Sequence, residues 1–418
     1  MVNLGFLFVG VCFLISVVYS FKEKNIFNPL LLFVSTLFLQ YSIYFFVYKS
    51  EYLISDKTIY IYICGLVFYL MGFILCDLIE QNKKKYESLE KKYVTNWLFI
   101  YFCLILGIVF MFLSRDFLQE LNVTDFNLGS KSANLREAFV YSLDSIPFYV
   151  TYGKYFLLFS ISFIFYEHLN GRKKFNRFFL LILGLLLLIN SFAVMSRTDL
   201  LITILPFLII WISSANFKDV KGKIKKKSKK SKYGIVSLVF FLLIMMNGMR
   251  VIDKSDSIFS KDNVVMQYIG KPIIAFDQWI LQHSAESNEL LFFEPLNKVL
   301  LKLKIIEPDN FNLAKLGQFN VYSYLKVPYL EFGTFGVIFI MFFVGVFCAF
   351  LYNKYKTGKR NWVIFYSFYS YACVMSFFDW QFGITTYTYL VVFLGLSSIL
   401  QTDIFKKKSI DEKRHGIV

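Results

Sequence analysis

Apolar and polar positions fall in long blocks along this chain, without the short periods of a soluble helix or strand. Eleven apolar runs can be drawn, at about 2–20, 28–48, 58–79, 97–114, 148–166, 178–195, 200–215, 234–249, 334–352, 362–378 and 383–401. Most are about as long as a helix that crosses a hydrocarbon layer of roughly 30 Å. Inside lipid a backbone must bond its own polar groups, so each run predicts a helix. The fold expected is an all-α polytopic membrane protein of about 11 transmembrane helices (10–12). One polar block stands apart from the short connections, 250–333, with stretches that predict short amphipathic helices. The organisation follows: eight helices over 1–249, a large loop over 250–333, three helices over 334–401, and a tail over 402–418.

Charge orients this layout. The loops 21–27, 80–96, 167–177, 216–233, 353–361 and the tail carry 29 Lys and Arg, against 15 on the other face. Basic loops stay cytoplasmic, which puts the tail inside, the N-terminus outside and 250–333 on the extracytoplasmic face. The first run has no basic leader and no small-residue cleavage site, so it reads as a span. The net charge of +16 is then an orientation signal; the Lys-rich stretch Lys218–Lys232 joins two runs without interleaved aromatics and does not suggest nucleic acid. The 51 Phe and 28 Tyr suit lipid-facing surfaces and interfacial belts. Six cysteines lie in or beside apolar runs with no CxxC pair and no metal spacing, and read as small apolar side chains. There is no DxD motif, P-loop or glycine-rich nucleotide loop, so neither a metal nor a cofactor is expected. Within the spans Lys154 is the clear ionisable residue.

The outer face supplies the candidate chemistry. Loop 49–57 offers no pattern, whereas 115–147 mixes charges and includes Arg115 and Arg136. Met195-Ser196-Arg197-Thr198-Asp199 joins two spans in a tight turn. A guanidinium there calls for a partner, either Asp199 or an anionic ligand. Arg250 follows a span directly and reads either as a snorkelling end or as an anion binder. Val264–Glu286 has Ile273, Phe276, Ile280 and the pair Trp279/Leu281 at helical spacing, with Asp277 and His283 beside them. Asp277 is a candidate proton acceptor or a solvated carboxylate; His283 is a candidate base or a surface residue. Leu296–Ile306 is a second amphipathic stretch that reads as a helix resting on the bilayer. The block closes with Tyr322, Tyr324, Lys326, Tyr329 and Glu331, entering a helix whose Gly333 and Gly336 suit close helix packing. Such tyrosines suit a sugar-binding surface or an interfacial belt.

Three segments in this order resemble the oligosaccharide repeat-unit polymerases of the Wzy type, which build O-antigen and capsule chains. They are Met195-Ser196-Arg197-Thr198-Asp199-Leu200, Tyr268 to Asp277, and Asn320-Val321-Tyr322 through Glu331-Phe332-Gly333-Thr334-Phe335-Gly336. Glu331 stands where related chains often carry an aspartate. The resemblance implies a membrane-embedded glycosyltransferase of the bacterial inner membrane. It would move a growing glycan from undecaprenyl pyrophosphate onto a lipid-linked repeat unit, with a separate chain-length regulator as a possible partner. Arg197 and Arg250, then Arg136 and Arg115, would bind the pyrophosphate; Asp277, Glu331 or His283 would take the acceptor proton. Tyr322, Tyr324 and Lys326 would position sugars or phosphate. Two other readings stay open, an O-antigen ligase with the same architecture and, with less in its favour, a lipid-linked oligosaccharide flippase or transporter.

Overall fold

The structure, a computed structural model, describes residues 1–83, 95–120, 147–193, 197–214, 264–282, 290–306 and 322–415. It is all-helical, and no strand occurs among the described residues. In chain order the helices are α1 (Val2–Glu23), α2 (Pro29–Ile43), α3 (Asp56–Lys83), α4 (Trp97–Glu120), α5 (Phe148–Leu169) and α6 (Arg177–Ala193). There follow α7 (Arg197–Ser214), α8 (Val264–Gln282), α9 (Glu294–Lys302), α10 (Lys326–Lys356), α11 (Arg360–Met375) and α12 (Thr385–His415). Six of the described helices are long and apolar enough to cross a membrane: α1, α2 with its π-helical extension Tyr44–Tyr48, α3, α4, α5 and α10. Shorter apolar helical stretches cover Arg177–Leu188, Leu201–Ser213 and Thr385–Leu400. The run at 234–249 lies outside the described residues.

Helix ends depart from the apolar runs in several places, and α10 opens at Lys326, ahead of the run at 334. α4 continues to Glu120, so Arg115 is helical where a loop was expected. α12 continues to His415 through most of the tail. Residues 402–415 contain neither Gly nor Pro and are rich in Lys, so nothing in them stops a helix.

The chain divides into two compact units. The first draws on Met1–Glu87, Val236–Trp362 and Phe368–Thr385; the second on Ser88–Ile235, Val363–Ser367 and Thr386–Val418. In the second, α4 packs along α5, where a methyl at Gly107 would collide with Leu157.

In the first unit α3 packs along α10. A methyl on Gly72 would overlap the Phe342 carbonyl, and one on Gly345 would overlap the Tyr69 carbonyl, so the two backbones touch at this crossing. Close approach through glycines is how helices gain dispersion contact where lipid gives no hydrophobic drive. At one end of the same helices sits a polar cluster. Asp77 of α3, only 4% exposed, accepts hydrogen bonds from Tyr19 Oη (2.5 Å) and Asn353 Nδ2 (3.0 Å). Lys356 Nζ lies 3.1 Å from Glu23 and 3.7 Å from Asp77. Lys154 is therefore not the sole ionisable residue within the apolar runs. Asp77 lies inside the run 58–79, and its carboxylate is met by hydrogen bonds and a shared lysine from two other helices.

Candidate functional site

The site is built from three pieces of the first unit: α8, the N-terminus of α3, and the segment Tyr322–Gly333 that opens α10. α8 packs on α2, on its π-helical extension and on α3. Gly270 lies against Ile43 and Tyr48, where a methyl would not fit. The extra residue per turn in the π-helix carries Tyr44 and Tyr48 inward, and both are buried. Tyr44 Oη then donates to the Tyr52 carbonyl (3.0 Å) and accepts from the Ile54 amide (3.2 Å), which fixes the turn before α3.

That turn presents Ser55 to Asp277. Asp277 is 4% exposed, so the solvated alternative is excluded. Its Oδ1 accepts from the Ser55 amide (2.9 Å), Ser55 Oγ (2.5 Å) and Thr58 Oγ1 (2.6 Å). Ser55 Oγ also caps α3 by accepting from the Thr58 amide (3.3 Å). A carboxylate at the positive end of a helix, bonded three times through one oxygen, is a clamp between α8 and α3. Ser55 and Thr58 lie in and just after a loop without visible pattern; the signal was the Ser-x-x-Thr spacing at a helix start.

The buried face of α8 also differs from the expected one. Ile273, Ile274, Ala275, Phe276, Trp279 and Ile280 are enclosed, whereas Leu281 is 65% exposed. Residues two apart on a helix point about 200° apart, so Trp279 and Leu281 do not share a face. Enclosure over two turns makes α8 a packed helix of the first unit.

Trp279 and Phe276 join α8 to the third piece, meeting the ring of Tyr329 edge-on at 6.3 and 6.1 Å. Lys57 Nζ lies 5.5 Å from the centre of the same ring. Lys326 is 5% exposed, with Nζ 3.4 Å from the Tyr322 ring centre and 5.5 Å from Trp279. Among the described residues no hydrogen-bond acceptor and no ion-pair partner serves this ammonium; Asp379 acts on it only through longer-range attraction. Tyr324 is wholly enclosed, between Phe33 at 5.3 Å and Tyr62 at 6.0 Å, both edge-on. Its ring has no open face for a sugar, which corrects the part given to it by resemblance.

Glu331 is the last residue before a break in α10. Phe332 (φ −139°, ψ 17°) and Gly333 (φ 62°, ψ −151°) leave the helical region. Gly333 therefore serves the backbone, in a region essentially restricted to glycine, and not close helix packing as expected. Gly336 packs on the Pro328 carbonyl and Phe332, within its own helix. Glu331 Oε1 accepts from the Phe292 amide at 2.7 Å, while Oε2 is buried with no hydrogen-bond partner. Neither Family models, curated proteins nor solved structures give a match to this chain.

The segment facing Glu331 is tied down through its main chain. The Phe292 carbonyl accepts from Trp380 Nε1 (2.9 Å), and the Glu294 amide donates to the Gly383 carbonyl (3.1 Å). A methyl on Gly383 would overlap the Phe292 carbonyl. Glu294 opens α9, where Oε2 accepts from the Thr385 amide (2.9 Å) and Oε1 pairs with Lys298 (2.6 Å). Burial opposes that charge, but Lys298 and Thr385 outweigh it and hold the carboxyl below its usual range. Asp379 goes the other way. Burial pushes it up to about 6, against the Trp380 amide and the charge of Lys326. On α9 itself Leu296 and Val299 remain exposed, and Leu303 follows them.

Arg197 is the first residue of α7 and Arg115 lies in α4, both in the second unit, and their side chains lie outside the described set. Arg136, Arg250 and His283 lie outside the described residues altogether. No group of three or more His, Cys, Asp or Glu side chains among the described residues is arranged to hold a metal ion.

Proposed function

We propose that this chain is a membrane-embedded glycosyltransferase that polymerises undecaprenyl-pyrophosphate-linked oligosaccharide repeat units into O-antigen or capsular polysaccharide. It works at the outer face of the bacterial inner membrane, with about 11 spans, the N-terminus outside and the tail in the cytoplasm. The observation that carries this reading is Glu331. One of its carboxylate oxygens is pinned by the Phe292 amide, and the other is buried without a partner at the joint where an apolar helix begins. A carboxylate held in place through one oxygen and unbonded at the other suits proton transfer from a sugar hydroxyl.

The acceptor hydroxyl gives its proton to Glu331 Oε2 as its oxygen bonds to the anomeric carbon of the donor. The anomeric C–O bond to phosphate breaks, and lipid pyrophosphate leaves with the electron pair. Arg197, Arg250, Arg136 and Arg115 are the guanidinium groups proposed to meet that charge. Asp277 holds α8 on α3 in this scheme, and His283 is the alternative base. A chain-length regulator is the partner protein expected alongside.

A strain lacking the chain tests this. It should accumulate lipid-linked single repeat units, and the wild-type chain should restore the ladder of lengths. Arg197→Ala and Glu331→Gln, present at wild-type level in the membrane, should leave single units only. Lipid-linked polymer piling up in the deletion strain would overturn the reading in favour of a ligase. A full ladder from Glu331→Gln would remove Glu331 from the reaction.

A further inference from the structure

Lys326 is a charged side chain placed where charge is hardest to keep. Its ammonium rests on the face of Tyr322 at 3.4 Å and lies 5.5 Å from Trp279, with 5% of the residue exposed. Aromatic faces stabilise a cation, but they accept none of its three hydrogens in the ordinary sense. Buried lysines are usually paired with a carboxylate, and burial without one is costly. Other lysines of the first unit show the usual arrangement: Lys356 pairs with Glu23, and Lys298 with Glu294. Lys326 makes no such pair among the described residues.

The groups facing it explain its position without satisfying it. Ser323 starts its turn, its carbonyl accepting from the Lys326 amide at 3.0 Å. The rings of Tyr322 and Trp279 lie beside the ammonium, and Trp279 is itself fixed against Tyr329. Asp379 lies beyond ion-pair distance and spends Oδ1 on the Trp380 amide at 2.8 Å. The ammonium is thus oriented and desolvated, with its hydrogens unassigned. That is the state of a cation prepared for an anion that arrives from outside the chain.

We infer that Lys326, backed by Tyr322 and Trp279, is a receptor for phosphate oxygens, and that it binds the pyrophosphate of the lipid-linked substrate. The inference rests on the reading proposed above and sharpens it, because it adds a lysine of the α10 opening to the guanidinium groups proposed for the pyrophosphate. A compact ammonium suits this task, since it meets phosphate oxygens as a point charge from any direction. Neutral sugar contacts would leave the charge unmatched. Free pyrophosphate carries the same chemistry and differs in lacking the lipid.

The experiment uses the full chain in lipid nanodiscs, with undecaprenyl pyrophosphate and inorganic pyrophosphate as separate probes. Lys326→Met keeps the stem and removes the charge. It should weaken undecaprenyl pyrophosphate binding by at least about tenfold, the factor for losing one charge-assisted hydrogen bond. Lys326→Arg should recover part of it. Melting temperature separates a binding role from a structural one, because removing an unpaired buried charge should not lower it. Unchanged binding of both probes by folded Lys326→Met overturns the inference. Should that variant fail to fold, Tyr322→Leu, which removes the ring beneath the ammonium, must show the same loss; unchanged binding there overturns it equally. Loss with inorganic pyrophosphate alone assigns the site to a free anion and also overturns the lipid assignment. The proposed function is judged separately: lysine-dependent binding in a chain that forms no polymer leaves the inference standing and removes the polymerase.

Discussion

Replacing Asp277 separates a structural clamp from a catalytic base. Its Oδ1 accepts three hydrogen bonds at the start of α3, from the Ser55 amide, Ser55 Oγ and Thr58 Oγ1. Asp277→Ala strands all three donors in a region that is 4% exposed at this residue. The two hydroxyls can partly recover by turning to each other, since Ser55 Oγ already lies 3.3 Å from Thr58 Oγ1. The amide cannot turn, and an unmet buried donor costs about 1–3 kcal/mol. Loss of negative charge at the helix start adds about 0.3–1 kcal/mol, and incomplete recovery of the hydroxyls about as much again. The total expected is about 2–5 kcal/mol. Asp277→Asn keeps an oxygen acceptor without the charge and should cost about half of that, charge-assisted bonds being roughly twice as strong as neutral ones. Thermal unfolding of the full chain can be followed with a thiol-reactive dye, because Cys12, Cys103, Cys348 and Cys373 are free and buried. The order wild type, Asn, Ala should appear, and Thr58→Val should couple with Asp277→Ala by less than the sum of the two. Polymer formed per folded molecule should survive in Asp277→Asn. A variant that melts like the wild type and makes no polymer would refute the clamp and restore Asp277 as the base.

Two further outcomes follow from the geometry. Asp379, raised from 3.8 to about 6, keeps a proton in the folded chain over a range where the unfolded chain has released it. Its contribution to stability is therefore full below about pH 4, falls as pH rises to about 6 and is flat above, worth about 3 kcal/mol at most. Melting of Asp379→Asn should lack this slope, so the variant should gain on the wild type between pH 4 and pH 6.5; a constant difference would contradict the assignment. Gly333→Ala places a side chain at φ 62°, ψ −151° and should cost about 1–3 kcal/mol, read as a lower melting temperature. An unchanged temperature would mean the break is not imposed by this glycine.

The layout in helices was legible because lipid acts on the chain in blocks, and a run from 334 to 352 has few alternatives to a helix. Asp77 was hidden by the same logic. One carboxylate near the end of an apolar run does not shorten the run, and its partners Tyr19 and Asn353 lie 58 and 276 residues away. The clamp at Asp277 was illegible for a related reason, since Ser55 and Thr58 are 222 and 219 residues distant. The chemistry of Asp277 was visible, but not how its oxygen is occupied. Glu331 was singled out as a carboxylate near a glycine, whereas its fixed and unbonded oxygens depend on the amide of Phe292, which no side-chain pattern encodes. The misplaced Leu281 needed no structure at all, because its spacing from Trp279 already put the two on different faces.

The hold on Phe292 is made through atoms that every residue other than proline possesses: its amide meets Glu331 and its carbonyl meets Trp380. The cost of drift is thus distributed unevenly. Residues 291–293 can change side chain and keep both bonds, while Gly383, Trp380 and Glu331, which approach that backbone, have little freedom. A segment of this kind can lose all resemblance in its letters while its shape persists. Tolerance to substitution there would be a sign of how the segment is held, and not of its irrelevance.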